Sequence, residues 1–369
     1  MSMSRRKFLG LVGGGFVVTT AVPAATFLAT RTPNKALVPW ETAGFYSDPR
    51  LHAMSYALLA PNPHNRQPWL AELVGTDSVT LHLDPERDLP VTDPYGRQLT
   101  IGMGCFMELM RMAAAEKGYK VESVLMPEGE GGPIAYCNFI ADAADPDPLF
   151  RYVMNRRSHK DMFTERLVGS ATAQQLSEFA DIYFSGEQHT ALQEIAHGAW
   201  LAEVSTPAAW QESIDLLRIG NAEINASPDG IDLGGPMIDT LAMFGIVSRE
   251  AASDVNDPGS RGSIESTANA ILAAPAFTLN VTDGNTRKDQ LEAGRQWMRL
   301  NLKTTSLGMA LRPSSQPLQE YEAVSPFYNR IHELFADTGK TVQMLGLLGY
   351  GKLSARTPRW PIETRLINV

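Results

Sequence analysis

The sequence predicts an α+β fold made of two related halves. Short apolar strands alternate with amphipathic helices along most of the chain. Two long predicted helices begin with the same tripeptide, Gly-Arg-Gln, at Gly96 and Gly294, and a glycine ends each of them. Strands are predicted on both sides of each helix. This repeated order of elements favours the duplication of one structural unit.

The composition of the 369-residue chain is that of a globular protein, with 44% hydrophobic and 20% charged residues. Two cysteines exclude a disulfide scaffold and a zinc site of four thiolates. The formal net charge is −9, and the residues after 30 carry 29 basic against 41 acidic side chains, or −12. We expect no nucleic-acid partner, because binding phosphates requires a basic face.

Residues 1–30 are interpreted as a twin-arginine signal peptide. Arg5 and Arg6 precede a modest apolar stretch from Phe8 to Ala29, and adjacent arginines indicate the twin-arginine route. The translocase is then a partner, and the protein is exported to the periplasm or cell envelope. Two alternatives stay open: an ordinary secretory signal and an uncleaved anchor, since the stretch is long enough to span a bilayer. The twin-arginine route carries folded proteins, often with their cofactor already inserted.

Residues 31–48 contain Pro, Thr and Asn and are interpreted as a linker. The N-terminal half, residues 49–145, follows the linker. Its predicted elements are, in order, a helix over Pro49–Leu59, strands over Trp69–Leu73 and Ser78–Leu83, a helix over Gly96–Lys117, and strands over Lys120–Leu125 and Ile134–Ile140. A turn-rich joint, 141–148, ends this half.

The C-terminal half, residues 146–369, includes an insertion at about 205–265 that is rich in Gly, Pro, Ser and Asp. Helices are predicted over Leu149–Asn155, Ala173–Ala180, His189–Glu203, Gly294–Gly308 and Ser325–Phe335. Strands are predicted over Ala274–Val281, Met309–Arg312 and Gln343–Leu348. We interpret the insertion itself as helices joined by irregular segments.

A stiff polar loop is predicted between the first helix and the first strand. Prolines at 61, 63 and 68 restrict its backbone. Asn65 and Gln67 place amide donors and acceptors on this frame, where they would suit a planar ring that forms hydrogen bonds. A capped loop whose amides satisfy its own backbone explains the pattern equally well.

Two basic segments lie further along the chain. In an extended segment, Arg156, Ser158 and Lys160 would face one way and form an anion site suited to phosphate. Arg356 and Arg359 lie in a tail stiffened by prolines. The two segments would meet at one phosphate. The alternatives are a solvated basic helix end and surface arginines near the C-terminus.

Together these segments resemble the FMN-dependent nitroreductase superfamily. Pro61–Trp69 looks like that family's Pro-Ser-x-x-Asn-x-Gln-Pro-Trp loop, and Arg156–Lys160 looks like its Arg-x-Ser-x-Lys/Arg flavin motif. The helix Gly294–Gly308 with Pro313–Gln316 resembles its late core helix and the loop beside the flavin ring. The tail Arg356–Pro361 resembles its terminal Lys/Arg-x-Arg-x-Pro segment. The implied fold has a central mixed sheet between helices and is nitroreductase-like.

The resemblance implies FMN as the cofactor and assigns roles to individual residues. Arg156, Ser158 and Lys160 would hold the FMN phosphate, the ribityl chain and the polar edge of the ring. The loop would meet the flavin from the other side through Pro61, Asn62, Pro63 and Asn65. The N5 atom would lie near backbone groups of Ser314, Ser315 and Gln316, and the phosphate near Arg359 and Arg356. The resemblance implies neither a catalytic side chain nor a metal ligand.

The order of the motifs departs from that of ordinary family members. Those are homodimers with the Arg-x-Ser motif first, whereas here the Pro-Trp loop comes first and neither motif has a second copy. This order resembles a duplicated branch in which one chain imitates the dimer, which implies a monomer that binds one FMN. Asn62 and Pro63 stand where the family has serine, Thr357 replaces a Lys or Arg, and 313–316 lacks the usual glycine.

The expected function is a flavin oxidoreductase that passes electrons in a ping-pong cycle from a small-molecule donor to a nitroaromatic, quinone or similar acceptor. The alternative is an FMN-binding protein whose insertion covers the flavin and leaves little turnover. A cell-envelope interaction module without FMN is a third candidate. Cys105 and Cys137 are expected as buried thiols, and the histidines show no spacing typical of metal ligands.

Overall fold

The computed structural model describes residues 34–141 and 144–368, so the predicted signal peptide lies outside the described residues. The first part of the chain forms three helices and four strands. In chain order they are α1 (Asn34–Thr42), α2 (Pro49–Ala57), β1 (Trp69–Val74), β2 (Ser78–Leu83), α3 (Arg97–Ala115), β3 (Lys120–Leu125) and β4 (Ala135–Ile140). None of the helices in 34–141 and 144–368 is both long and apolar enough to cross a membrane.

The remaining elements follow a 3-10 turn at Phe150–Tyr152, where a longer helix is predicted. They are α4 (Ser170–Leu176), β5 (Asp181–Tyr183), α5 (Gly186–Val204), α6 (Pro207–Asp215), β6 (Leu217–Ile219), α7 (Gly220–Ala226), β7 (Ile231–Leu233), α8 (Pro236–Met243), α9 (Arg249–Ser253), α10 (Pro258–Leu272), β8 (Ala276–Thr282), α11 (Arg287–Ser306), β9 (Ala310–Pro313), α12 (Ser325–Phe335), β10 (Thr341–Gly349) and β11 (Leu366–Ile367).

The two larger sheets have the same strand order. The first is ordered β11-β1-β2-β4-β3 and the second β5-β8-β10-β9, so β1, β2, β4 and β3 correspond to β5, β8, β10 and β9. Within each set of four strands, every pair of neighbouring strands is antiparallel. At the edge of the first sheet, β11 pairs with β1 in parallel. A long helix separates the second and third strands of each unit, α3 in one and α11 in the other. The predicted α+β fold of two related halves is therefore confirmed, with the β structure of the described residues divided among these two sheets and a third one of two strands, β6 and β7.

The repeat has a constant register through the long helices and the turns that follow. Each helix starts at an arginine, Arg97 or Arg287, and ends before a left-handed glycine, Gly118 or Gly308. Each pair is separated by 190 residues. In both turns the glycine N–H donates to the carbonyl three residues earlier, at 2.9 and 3.0 Å. The chain thus makes the same helix-to-strand connection twice.

The two long helices cross where both carry a glycine in the same register. A Cβ atom on Gly104 would stand 2.2 Å from the carbonyl oxygen of Leu291, and one on Gly294 would stand 2.1 Å from that of Ile101. The Cys105 thiol also donates to the carbonyl oxygen of Gly294 at 3.1 Å. Backbone therefore packs directly on backbone, and this contact joins the two halves.

The repeated Gly-Arg-Gln tripeptide is not structurally equivalent in the two halves. Gly96 lies just before α3 in a left-handed conformation, whereas Gly294 lies inside α11. The predicted start of α11 at Gly294 is wrong because Thr286 and Asp289 form a capping box five to eight residues earlier. The residue that corresponds to Gly294 in the repeat is Gly104. The duplication is correct, but the tripeptide does not mark it.

The insertion is wider than the predicted 205–265. Three residues, 75–77, connect β1 to β2, whereas 184–275 separate the corresponding strands β5 and β8. This stretch contains α5 to α10 and a parallel pair formed by β6 and β7. The prediction missed β5, which has only three residues and little alternation. The insertion therefore interrupts the second copy of a hairpin.

Part of the predicted linker is folded. Residues Asn34–Thr42 form α1, in which Ala36 and Trp40 are buried. The Trp40 indole N–H donates to the carbonyl oxygen of Thr357 at 2.8 Å. A composition of Pro, Thr and Asn suggested a linker, but two apolar side chains dock this segment on the C-terminal tail. Burial of those side chains outweighs the weak local helix preference.

The apolar core forms two clusters. The larger one joins α2, α3 and α11 with the first sheet and includes Phe106 and Trp297, both almost fully buried. The smaller one lies between the second sheet and the helices of the insertion and includes Phe277 and Leu345. Because α11 comes from the second half, the larger cluster contains residues of both halves and joins them.

Candidate functional site

A cavity of about 200 Å³ lies between the two halves beside the crossing of α3 and α11. Its walls come from the loop after α2, the first turns of α3, α11, β10 and the segment after β9. The lining residues are Pro61, Asn62, Pro63, His64, Gln98, Ile101, Gly102, Cys105, Ser158, Trp297, Pro313, Ser315, Gln316 and Met344. Segments about 250 residues apart therefore meet at one place.

Half of the predicted site residues line this cavity. They are Pro61, Asn62, Pro63, Ser158, Ser315 and Gln316. The other half do not line it, and these are Asn65, Arg156, Lys160, Ser314, Arg356 and Arg359. Three of the predicted segments, 61–65, 156–160 and 314–316, therefore reach this cavity, but only part of each segment lines it. Whether any of them binds FMN stays a prediction.

The loop between α2 and β1 has an unusual backbone. His64, Asn65 and Gln67 all adopt positive φ angles, of 45°, 52° and 52°. Such conformations are costly for residues other than glycine and persist only where the surroundings hold them. The side chain of His64 lines the cavity. Burial there lowers the pKa of its imidazole.

The amides of this loop mainly brace the loop itself. The Asn62 Oδ1 atom accepts from the backbone N–H of Gln67 at 2.7 Å. The Gln67 side chain donates to the carbonyl oxygen of Pro228 at 2.6 Å and accepts from the N–H of Trp360 at 2.9 Å. Asn65 donates to the carbonyl oxygens of Pro228 and Pro358. Gln67 and Asn65 therefore both brace the loop against the segments around Pro228 and Trp360.

Residues 156–160 have no regular secondary structure, and the segment from 155 to 160 lies between two cavities. Ser158 lines the first cavity, whereas Asn155, Arg157 and His159 line a second one of about 390 Å³. Lys352 also lines the second cavity. Alternate residues therefore face opposite ways, as the predicted extended conformation requires.

Arg156 is a buried cation without an acidic partner among the described residues. Its side chain is 2% exposed, and its Nη2 group donates to the carbonyl oxygen of Leu59 at 2.9 Å. Its Nε and Nη1 atoms are buried and make no hydrogen bond within 34–141 and 144–368. Burial, with the nearby charge of Arg157, lowers the Arg156 pKa to about 10. Unsatisfied buried donors of this kind fit an anionic ligand.

Arg359 is also buried, but its donors are already used. Its guanidinium donates to the carbonyl oxygens of Leu58 and Ala60, at 2.6 and 3.0 Å, and to Oδ1 of Asn65 at 2.6 Å. Burial, together with the charge of Arg156, lowers the Arg359 pKa to about 9. In this geometry Arg359 closes the end of α2 and holds the loop, and its predicted contact with phosphate would require other hydrogen bonds to break.

Arg356 does not line the cavity and packs against α1 instead. Its guanidinium stacks over the ring of Trp40 at 5.5 Å, and Arg157 stacks over the same ring at 4.5 Å. Both are cation–π contacts. Among the described residues, neither arginine forms an ion pair with a carboxylate. The predicted basic residues therefore form one cluster, although the residues are not all at the cavity.

The insertion covers this cluster. Asp232 on β7 forms an ion pair with the predicted flavin ligand Lys160, with 2.7 Å between Oδ1 and Nζ. The N–H of Gly230 donates to the carbonyl oxygen of Asn65 at 3.2 Å. Asp229 is buried among arginines and contacts Arg66, Arg87 and Arg218. The strand β7 and the turn before it are thus held over the loop.

Sequence reasoning missed the wall formed by the two long helices. Gln98, Ile101 and Cys105 on α3 and Trp297 on α11 all line the cavity. One signal was visible in the sequence, namely a glycine inside the helix at Gly102. A Cβ atom there would stand 3.0 Å from Cβ of Asn62, so the missing side chain lets the loop rest on α3.

A cavity of similar size, about 220 Å³, occupies the corresponding position in the repeat. Its lining includes Met107, Leu291, Glu292 and Arg295, and these positions are related by 190 residues to Trp297, Ile101, Gly102 and Cys105, respectively. The charges here are paired. Arg295 contacts Glu292 at 2.5 Å, and buried Glu108 contacts Arg111 and Arg299. The first cavity, by contrast, has no carboxylate in its lining.

Neither cysteine offers a reactive thiolate. Cys105 and Cys137 are both buried and free, and burial raises their pKa values to about 12 and about 11. Among residues 34–141 and 144–368, no cluster of His, Cys, Asp and Glu side chains is arranged to hold a metal ion.

Solved structures with likeness to this chain include nitroreductases. One is described as a putative nitroreductase from Anabaena variabilis, with 10% identity, a TM-score of 0.40, and coverage of 92% of this chain and 93% of that one. Another is a nitroreductase-like protein from Bacillus cereus, with 12% identity, a TM-score of 0.34, and coverage of 60% and 96%. A third is a nitroreductase with bound FMN from Bacteroides fragilis, with 11% identity, a TM-score of 0.34, and coverage of 57% and 91%.

Comparison with known protein families finds no match for this chain. Comparison with curated proteins also finds none. The structural likenesses above are too low to assign a cofactor or a reaction.

Proposed function

We propose that this protein is an FMN-binding oxidoreductase whose flavin lies between the two halves. The observation that carries the proposal is Arg156, a buried cation with two unsatisfied donors, next to a cavity where the Pro61–Trp69 loop meets Ser158 and Gln316. A flavin mononucleotide combines an anionic phosphate with a planar ring that forms hydrogen bonds. The donors present fit both parts.

The chain's own residues would bind and orient the cofactor and exclude water. Ser158 and Gln316 offer a hydroxyl and an amide at the cavity, while Trp297, Ile101 and Met344 supply apolar walls. The bound FMN supplies the redox chemistry, which is electron transfer from a reduced donor to an acceptor. Donors on a rigid, braced loop cost little reorganisation when charge develops on a bound ring.

We expect one FMN per chain. The first cavity has an unpaired buried cation beside it, whereas the charges at its counterpart in the repeat are already neutralised by Arg295–Glu292 and by the contacts of Glu108. The measurement is the absorbance of flavin released by denaturing the reconstituted protein, divided by protein concentration. The variant Arg295→Ala serves as a control and should leave the ratio unchanged. A ratio of two would contradict this assignment.

A second candidate function, flavin binding with little turnover, is favoured by the covered site. The cavity of about 200 Å³ is smaller than the roughly 300 Å³ typical of the smallest ligand pockets. The Asp232–Lys160 ion pair and the contacts of Pro228 hold the insertion over it. A whole FMN therefore requires the insertion to shift, and the closed position would keep acceptors out.

Anaerobic addition of NADPH to the FMN-bound protein distinguishes the two functions. Loss of the yellow colour with NADPH is expected for a reductase with an accessible flavin. Loss of colour with dithionite alone would favour the covered flavin or a donor other than NADPH. If the purified chain stays colourless after incubation with FMN, the proposed function fails although the fold stands.

Export would place the working protein in the periplasm or cell envelope as a monomer. That location is proposed from the twin arginines at 5 and 6 and the apolar stretch that follows. Nicotinamide donors are cytoplasmic, so an exported enzyme would require another electron donor. The internal repeat supplies both sides of the proposed site within one chain, which removes the need for a second copy.

A further inference from the structure

A buried carboxyl group lies directly behind the cavity wall. Glu203, near the end of α5, is 4% exposed. Its Oε1 atom accepts a hydrogen bond of 3.4 Å from Nε2 of Gln316, whose side chain lines the cavity. Its Oε2 atom is buried and has no hydrogen-bond partner among the described residues. The carboxyl therefore contacts the wall of the site but is only partly satisfied.

The groups around Glu203 are amides and acids. Gln319 is the other amide that acts to lower the pKa of Glu203, and the Oε1 atom of Gln319 is buried without a partner within 34–141 and 144–368. Glu212 on α6 adds a second negative charge, and the buried hydroxyl of Tyr321 lies near both carboxyls. Burial, reinforced by Glu212, raises the Glu203 pKa to about 7.

Other helices that pack on α5 place their charges in solvent. Arg261 and Glu265 on α10 and Arg330 and Glu333 on α12 are exposed. On α12, His332 is occupied by Tyr328 and Val342. On α5 itself, His189 hydrogen-bonds the carbonyl of Ala274. The charge of Glu212 also acts on His64. No cation is among the groups found to act on Glu203 in the described part of the chain.

We propose that Glu203 is a positioning residue that sets the orientation of the Gln316 side-chain amide in the cavity according to whether its carboxyl carries a proton. An ionised carboxyl can only accept hydrogen bonds, so it holds the Gln316 NH₂ group and leaves the amide oxygen free. A neutral carboxyl holds this NH₂ group more weakly and can donate to an amide oxygen instead. The amide can then turn its NH₂ group towards the cavity.

The change would alter what a ligand in the cavity meets. Above neutral pH, the ligand faces an amide oxygen with a negative charge behind it. Below neutral pH, it faces a donor without that charge. The effect on a flavin rests on the proposed function: if the site binds FMN, the acidic form stabilises the electron-rich reduced ring better than the basic form.

The first experiment uses the ligand-free protein. Its carboxyl groups and glutamine amides are followed by NMR between about pH 5 and pH 9, and the variants Glu203→Gln and Gln316→Leu assign the signals. We expect one glutamate carboxyl to titrate near neutral pH, and the Gln316 NH₂ signals to move with the same midpoint. In Glu203→Gln both transitions should be absent. The control Glu194→Gln changes an exposed side chain on the same helix and should keep both.

Two outcomes would overturn the proposal. One is a Glu203 titration that leaves the Gln316 signals unchanged, and the other is a Gln316 transition that persists in Glu203→Gln.

A second readout is the free energy of unfolding measured as a function of pH. Because the pKa of Glu203 is raised in the folded state, its contribution is full below its ordinary value and is lost as the pH rises through about 7. The free energy of unfolding should therefore fall relative to that of Glu203→Gln across this range.

A flavin readout tests the same transition in the FMN-bound protein, and its failure can be distinguished from failure of the proposed function. In the FMN-bound protein, the visible spectrum and the reduction potential should change with the same midpoint near pH 7 and lose this midpoint in Glu203→Gln. A colourless protein would refute the cofactor while the ligand-free titration still tests Glu203. A yellow protein with no transition at that midpoint would refute its effect on the flavin.

Discussion

Replacing Gly294 with alanine is expected to lower the free energy of unfolding by about 3 kcal/mol or more. The added Cβ would stand 2.1 Å from the carbonyl oxygen of Ile101 and 2.9 Å from the amide nitrogen of Cys105. Both are backbone atoms of a buried helix, so no side chain can turn away to make room. The helices must separate, and apolar contacts along the rest of their interface weaken.

Denaturant unfolding followed by circular dichroism measures this effect. Gly104→Ala should have a similar cost, because its Cβ would stand 2.2 Å from the carbonyl oxygen of Leu291. The double variant should cost less than the sum of the two, since one separation of the helices relieves both clashes.

Gly262→Ala provides a matched control for this experiment. Gly262 also lies inside a helix, α10, but a Cβ there would meet no atom within 4 Å. Alanine should therefore stabilise the protein by roughly 0.4–1 kcal/mol, because it restricts the unfolded chain. A cost below about 1 kcal/mol for Gly294→Ala would mean that the helices do not meet backbone to backbone.

Replacing Arg156 with methionine is expected to stabilise the ligand-free protein while weakening FMN binding. A buried cation without a carboxylate partner is unfavourable, and an apolar side chain of similar length removes that penalty. We expect a gain of roughly 1–3 kcal/mol in the free energy of unfolding. The same change removes the unsatisfied Nε and Nη1 donors. Loss of a charge-assisted contact of about 1.5–3 kcal/mol corresponds to a fall in FMN affinity of roughly 10-fold to 100-fold.

Denaturant unfolding and flavin fluorescence titration measure the two halves of this prediction separately. Arg151→Met is the control: Arg151 is an exposed arginine on the preceding turn that contacts the carbonyl oxygen of Pro148 and the ring of Tyr152. It should change neither stability nor FMN affinity by much. Unchanged FMN affinity in Arg156→Met would remove Arg156 from the site, and a large loss of stability would show that its charge is satisfied.

Most strands and long helices were predictable because their signals are local. β2 and β3 have the predicted boundaries, Ser78–Leu83 and Lys120–Leu125, and α12 also begins and ends as predicted. Alternating apolar residues and terminal glycines report directly on burial and on backbone conformation. Short elements such as β5 carry too few residues to show a period. The start of α11 was missed because its polar first turns hide the capping box at Thr286.

The candidate site was predictable at the level of segments. The prolines around Asn65 marked a rigid loop, and the alternation from Arg156 to Lys160 marked an extended strand-like segment with two faces. The structure brings both segments to one cavity with Gln316. Some side chains of these segments hydrogen-bond other parts of the protein, and others line the cavity. Arg359, for example, donates a hydrogen bond to the side chain of Asn65.

By itself, the sequence determined the kinds of most elements and their order, because propensity and hydrophobic period are properties of neighbouring residues. Only the tertiary structure decided that Gly104, not Gly96, is the partner of Gly294, and that Arg156 is left unpaired while Arg359 is fully bonded. These outcomes depend on atoms from residues up to about 300 positions apart. No local pattern records which of them come into contact.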